Sequence, residues 1–449
     1  MDFKRALSAV GIVWMISVSA MAQQYGITSR ILDNGLEVIV VENHGVPLVT
    51  IEICAKNGAY TETPDLDGLS HLYEHMFFKA NRELPNQERY MERTRELGMS
   101  WNGTTSEERV NYFFTLHKND LDDGLKFMND AIRFPLFLQE ELLREREVVI
   151  GEFDRAEANP YFHLGQAIGK ELWYKYFSRK NVIGDRDTIL AADQEKLRRI
   201  QSRYYIPNNC ALIIAGDVQP DGVFEKVETL FGDWERGDNP FEKYPIPAHP
   251  PLTQSKLMAV VQPVNFIVIQ RTWHGPSMRD DVPSTFAADV FSFIIGQPDS
   301  KFQKNLVDAG LVDGVGLGYQ SLTYTGPITL NARTSADRYQ QALAAIEAEI
   351  AKFDDPEYFT DEQVEFAKNQ LEISEIYGQE QADQFAHTIS FWWCVRNLQY
   401  YLDYLENLRR VTREDIYQYI RTYVKDKPAV TGVLVSPEDQ QKLQIGEGN

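Results

Sequence analysis

The run His71-Leu72-Tyr73-Glu74-His75 places two imidazoles and a carboxylate at a spacing suited to metal chemistry. On a helix, residues four apart share a face, so His71 and His75 can point at one ion, with Glu74 beside them. A catalytic zinc keeps three protein ligands and one open position, so a third ligand has to come from elsewhere. The segment from Glu145 to Glu152 supplies the best candidates. Its two end residues are about two helical turns apart and project from nearly the same face. In this reading Glu152 ligates the zinc and Glu145 orients a ligating imidazole from behind. Solvated helix faces are commonly rich in Glu and Arg, so this pair gains meaning only beside the histidine motif. Zinc so held polarises a carbonyl and lowers the pKa of its water toward about 7. Glu74 is then placed to take the proton from water and return one to a leaving amine. The expected chemistry is hydrolysis without a covalent intermediate.

These residues need two helices and a frame to hold them. Hydrophobic periodicity predicts strands over residues 36–41 and 48–54, then a helix around 66–80 that carries the motif, with Asp65 or Asp67 as its cap. A second helix over about 86–97 stops at Gly98, and strands over 99–105 and 109–117 follow, joined through Ser106-Glu107-Glu108. Long amphipathic helices occupy roughly 119–133 and 138–158, and the half closes with a helix over about 193–205 and an apolar strand over 211–215. The same order recurs later. A strand over 328–332 precedes a helix over about 336–353, and Phe359-Thr360-Asp361-Glu362-Gln363 opens the next helix much as Phe137-Leu138-Gln139-Glu140-Glu141 does. The stretch from Thr412 to the strand at 429–435 echoes that from Asp193 to Ala215. This self-similarity predicts an α+β protein of two related domains, each a mainly antiparallel sheet covered by helices. The proline-rich stretch 237–256 reads as a linker between residues 23–236, which hold the metal motif, and residues 257–449, which hold none.

Composition narrows the class further. At 449 residues, 43% apolar and 25% charged, the chain has the balance of a folded protein of about two domains. Its net charge of −21 argues against nucleic acid as a partner. Lys4 and Arg5, an apolar stretch from Ala6 to Ala20, and Ala20-Met21-Ala22 read as a signal peptide over residues 1–22. The expectation is export across an inner membrane to a periplasm, with no stable membrane insertion after cleavage. Cys54, Cys210 and Cys394 are too few and too scattered for a disulfide framework or a cysteine zinc site. Buried free thiols are expected, with a Cys54 to Cys210 bridge left open.

The order His-x-x-Glu-His is that of the inverzincins. Beyond it the chain resembles the pitrilysin family, which includes insulin-degrading enzyme and mitochondrial processing peptidase. The resemblance rests, in order, on Leu32-Asp33-Asn34-Gly35-Leu36, Gly58-Ala59, Gly68 through Met76, and Glu145 through Glu152. It implies His71, His75 and Glu152 as ligands of one Zn2+ per chain, Glu74 as general base and Glu145 as a supporting carboxylate. It also implies paired domains forming half of a peptidase chamber. A strand edge that pairs with substrate backbone in the family matches Asn102-Gly103-Thr104 here, with Gly where the family has Ala. A tight turn at Asn102-Gly103 is the other reading of those residues.

One departure bears on partners. The family carries an arginine and a tyrosine in a pattern like Leu-Arg-x-x-x-Gly-Leu-x-Tyr, and Leu306 and Asp313 stand at those two positions. Shifting the frame to use Tyr319 puts Val312 at the arginine position. The resemblance therefore implies the zinc-bearing subunit of a heterodimeric endopeptidase acting on peptides or unfolded polypeptides, with a related subunit supplying the Arg and Tyr. The alternatives are a homodimeric peptidase and a non-catalytic assembly or binding subunit of the same fold.

Overall fold

The computed structural model describes residues 26–445, so the expected signal peptide lies outside the described residues. The chain enters through β1 (Ile27–Ile31), β2 (Glu37–Glu42) and β3 (Leu48–Ala55), then forms helices α1 (Leu69–Phe77) and α2 (Gln87–Glu96). The hairpin of β4 (Ser100–Thr105) and β5 (Val110–His117) leads into α3 (Leu121–Arg133), α4 (Gln139–Glu157) and α5 (Pro160–Leu172). Helix α6 (Gln194–Tyr204), strand β6 (Cys210–Gly216) and helix α7 (Pro220–Phe231) complete this half. The second half runs β7 (Lys256–Val261), β8 (Ile267–Ser277), α8 (Val282–Gly296), β9 (Gly314–Tyr319) and β10 (Thr325–Thr334). It ends with α9 (Tyr339–Ile350), α10 (Asp361–Gly378), α11 (Ala382–Val395), α12 (Arg413–Tyr423) and β11 (Val430–Val435).

Two sheets result, ordered β1-β2-β6-β3-β5-β4 and β7-β11-β8-β10-β9. Apart from β1 they match strand for strand. In each, one parallel pair (β2 with β6, β11 with β7) sits in an otherwise antiparallel sheet. The α+β class and the mainly antiparallel sheets are as the periodicity predicts. The repeat is a repeat of topology.

Two compact units form around these sheets, and neither is contiguous in sequence. The first comprises the described residues up to Val149 with Val182–Ile246 and Gly378–Leu402, and the second Ile150–Asn181, Pro247–Tyr377 and the residues from Asp403 onward. This differs from the contiguous division into 23–236 and 257–449. The reason lies in which helix covers which sheet. In the first unit, Phe385, Ala386, Ile389 and Trp393 of α11 pack on Ile39, Val41, Ala211 and Ile213. In the second, Leu164, Ile168 and Leu172 of α5 pack on Val260, Val268, Val430 and Leu434. Each half of the chain thus gives one helix to the sheet built by the other. Both exchanged helices follow long ones, α4 and α10, which advance the chain by about 28 Å before the next helix begins. Periodicity shows that a helix has an apolar face, but not which sheet that face will meet.

The register settles the cysteines. Cys54 lies opposite Ala211, and Cys210 lies opposite Ala55. Residues directly opposite share a face and successive residues alternate, so Cys54 and Cys210 are on opposite faces of the sheet and cannot bridge. All three thiols are free and buried.

Two buried carboxyls make the fold testable. Glu52 is fully buried in β3, where its oxygens accept from Asn111 Nδ2 at 2.7 Å and bond His387 Nδ1 on α11. His387→Leu leaves that carboxylate without its basic partner. The expected loss is about 3–5 kcal/mol, read as a fall in the urea unfolding free energy. Asp289 on α8 accepts from the Tyr404 hydroxyl at 2.9 Å, with the Tyr419 ring also nearby, and burial raises its carboxyl to about 7. A folded pKa above the unfolded one gives a contribution that is complete below about pH 4 and lost as pH rises toward 7. Asp289→Asn removes that loss. Its stability relative to the parent should climb from pH 4 to 7 and stay level above, in thermal melts across that range.

Candidate metal centre

Seven of the nine residues of α1 are buried. Such a helix needs a firm start, and the expected caps Asp65 and Asp67 do not provide it. The N-cap position is Gly68, with φ of 90° and no side-chain cap. Glu62 does the capping instead, its two oxygens accepting from Gly68 N at 2.7 Å and Ser70 N at 2.6 Å. Burial pushes the Glu62 carboxyl well above its ordinary range, against these hydrogen bonds. The glycine is also required by contact: a Cβ on Gly68 would lie 2.6 Å from the Cα of Gly184, itself at positive φ. Two side-chain-free residues lie back to back, and they seat the start of α1 against the 182–185 segment.

The helix then presents its polar face. The rings of His71 and His75 stand 4.9 Å apart, edge to face. Burial, and then the charge of His75, lowers His71 to about 4, so its imidazole is neutral and able to ligate near pH 7. His75 Nδ1 bonds Glu145 Oε2 at 3.1 Å, and Lys79 Nζ pairs with Glu145 Oε1 at 2.6 Å. Burial works to raise the Glu145 carboxyl, but these two partners outweigh it and hold it below the usual value. With Nδ1 bearing the proton toward Glu145, the lone pair of His75 is at Nε2. Helix α4 continues without a break through Glu152. One ligand atom from each of His71, His75 and Glu152 lies within 4.8 Å of the others, the one such group among the described residues. Two nitrogens and a carboxylate oxygen are a donor set that suits zinc.

Glu74 is on the same helix, buried, and accepts from the Thr105 hydroxyl at 2.9 Å through Oε2. Thr105 was not among the residues singled out in the sequence. Its position two after Gly103 on a predicted strand is the one signal that could have drawn attention to it. Asn102, Gly103 and Thr104 lie in β4, which ends its sheet and pairs with β5 alone. They therefore form an open strand edge rather than a tight turn. Leu306 is buried in a π-helical turn, and Asp313 pairs with Arg338 at 2.8 Å, so neither side chain offers what an Arg or a Tyr would.

The helix of the second sheet that follows the third equivalent strand, α8, is apolar over most of its length and carries no histidine. No second donor set can form on it. No described helix is long and apolar enough to cross a membrane.

Known proteins agree with this architecture. The family described as Insulinase (Peptidase family M16) matches residues 37–184, and Peptidase M16 inactive domain matches residues 191–371. An uncharacterized zinc protease of Rickettsia felis is 24% identical over 78% of this chain and 83% of its own length. Zinc protease PqqE of Helicobacter pylori is 22% identical over 90% and 91%. Among solved structures, a protease from Helicobacter pylori has a TM-score of 0.80 at 21% identity, covering 91% of this chain and 99% of that one. The first half of the periplasmic protease PqqL from Escherichia coli gives 0.77 at 16%, covering 93% of each, whereas the match spans 48% of the PqqL chain in its longer structure. With both family regions matched in chain order and the same fold in these structures, the chain belongs to the pitrilysin-like M16 peptidase family.

Proposed function

We propose that this chain is the zinc-bearing subunit of an M16 endopeptidase that cleaves peptides or unfolded polypeptides. The observation that carries the reading is the convergence of donor atoms from His71, His75 and Glu152, with Glu74 on the same helix as both histidines. In this assignment those three residues hold one Zn2+. When bound, the ion supplies positive charge that polarises the scissile carbonyl and acidifies water. Glu74 takes the proton from the attacking water and passes one to the departing amine. Glu145 fixes the His75 ring and its tautomer, as a carboxylate behind a ligating imidazole does. The open edge formed by Asn102, Gly103 and Thr104 takes substrate as an added strand, so extended segments are preferred.

A second, related chain completes the enzyme in this reading. Support comes from the buried Leu306 and the ion-paired Asp313 at the positions where the family has its Arg and Tyr. The match to about half of PqqL points the same way. Export to a periplasm is part of the proposal, on the strength of the N-terminal sequence pattern.

Glu74→Gln should lower kcat/KM on an unfolded polypeptide by about 10²- to 10⁴-fold while zinc per chain stays unchanged. Retained cleavage in that variant would sink Glu74 as the general base. Glu145→Gln is expected to weaken zinc binding by about 10- to 100-fold in a chelator competition. Co-expression with a related chain that has the Arg and Tyr but no zinc motif should raise cleavage well above that of the isolated chain. A rate that no partner changes would count against the heterodimer.

A further inference from the structure

The seat of Glu74 is built by β4. Thr105, the last residue of that strand, donates its hydroxyl to Glu74 Oε2 at 2.9 Å. An ionised carboxylate only accepts, so the proton of this bond is the threonine's. Two residues earlier, and therefore on the same face, comes Gly103. A Cβ there would stand 2.9 Å from Glu74 Oε1 and 3.0 Å from its Cγ. The glutamate thus occupies space that a side chain at 103 would take. The opposite face of the strand is anchored separately. Thr104 Oγ1 bonds Asn111 Oδ1, and Asn111 passes the connection to the buried Glu52 at 2.7 Å. Arg109 Nη1 donates to His387 O and to Ser390 Oγ, each at 2.8 Å. The strand edge that holds the carboxylate is fixed from behind by α11.

We propose that Thr105 is a positioning residue for Glu74, and that the missing side chain at Gly103 leaves the space in which the threonine hydroxyl fixes the carboxylate. The proposal rests on Glu74 being the general base and assigns the group that orients it. A glutamate side chain has three rotatable bonds, so an unheld carboxylate spreads over several rotamers, few of which face the attacking water. A hydroxyl bond to one oxygen selects among them. The strand, and not α1 alone, therefore sets where the proton is received.

The test compares the zinc-loaded full chain, with its partner chain where one is required, as parent, Thr105→Val and Thr105→Ser. Valine keeps the shape and the strand preference while removing the donor, and serine keeps the donor. On an internally quenched peptide, Thr105→Val should lose about 10- to 100-fold in kcat with KM within about twofold, and Thr105→Ser should stay within about threefold of the parent. Zinc per chain should be equal in all three. Crystal structures should show the Glu74 carboxylate displaced from β4 in Thr105→Val and in Gly103→Ala, and retained in Thr105→Ser. An unchanged kcat in Thr105→Val, equal losses in the valine and serine variants, or a carboxylate unmoved in Thr105→Val or Gly103→Ala would overturn the proposal. An inactive parent would overturn the peptidase reading instead, because the crystal structures still decide whether Thr105 sets the carboxylate.

Discussion

A nine-residue helix with seven residues buried also carries two half-buried imidazoles and a buried glutamate, and such groups hold a fixed geometry only where other elements bring them partners. That constraint organises the first unit. Glu62 satisfies backbone donors at the helix start, Glu145 bonds His75, and Thr105 bonds Glu74. The three partners come from the loop before the helix, from the long helix α4 and from the edge strand β4. The frame can therefore be read as the set of elements needed to bring those partners to one helix face.

The same sheet occurs twice, yet the chemistry is gathered in one place. In the second unit α8 follows its strand as α1 follows β3, but its surface is apolar and the acid on it, the partly buried Asp289, is matched to a tyrosine hydroxyl. An apolar helix packs without polar partners and needs none of the surrounding hydrogen bonds. Duplicated topology left each copy free to be filled in its own way: polar and exacting in the first, hydrophobic in the second.

Exchange of helices ties the two halves of the sequence together. Helix α11, from the far half of the chain, covers the sheet that bears α1, and its His387 reaches the buried Glu52 behind the edge strand. The unit that contains His71, Glu74 and His75 is therefore incomplete without residues 378–402. The anchoring of β4 likewise depends on residues more than 250 positions later in the sequence.

The sequence by itself determined the local geometry. Helical spacing places His71 and His75 on one face with Glu74 beside them, and puts Glu145 and Glu152 two turns apart on another helix. Two strand-like runs joined through Ser106-Glu107-Glu108 foretell the hairpin of β4 and β5, and the recurring order of elements foretells the repeated topology. These features depend on rises and repeats along a single element, which residue numbers encode directly. What only the tertiary structure decided involves approach between elements. Glu62 caps α1 where a nearer aspartate was expected, because the buried loop aims its carboxylate at the helix start. Cys54 and Cys210 fall on opposite faces because register, which sequence spacing does not fix, sets the pairing. Helix α11 joins the first unit from the far half of the sequence and α5 the second unit from the near half, and Thr105 meets Glu74, for the same reason: an apolar face or a hydroxyl is legible in a sequence, but its partner is chosen by packing in space.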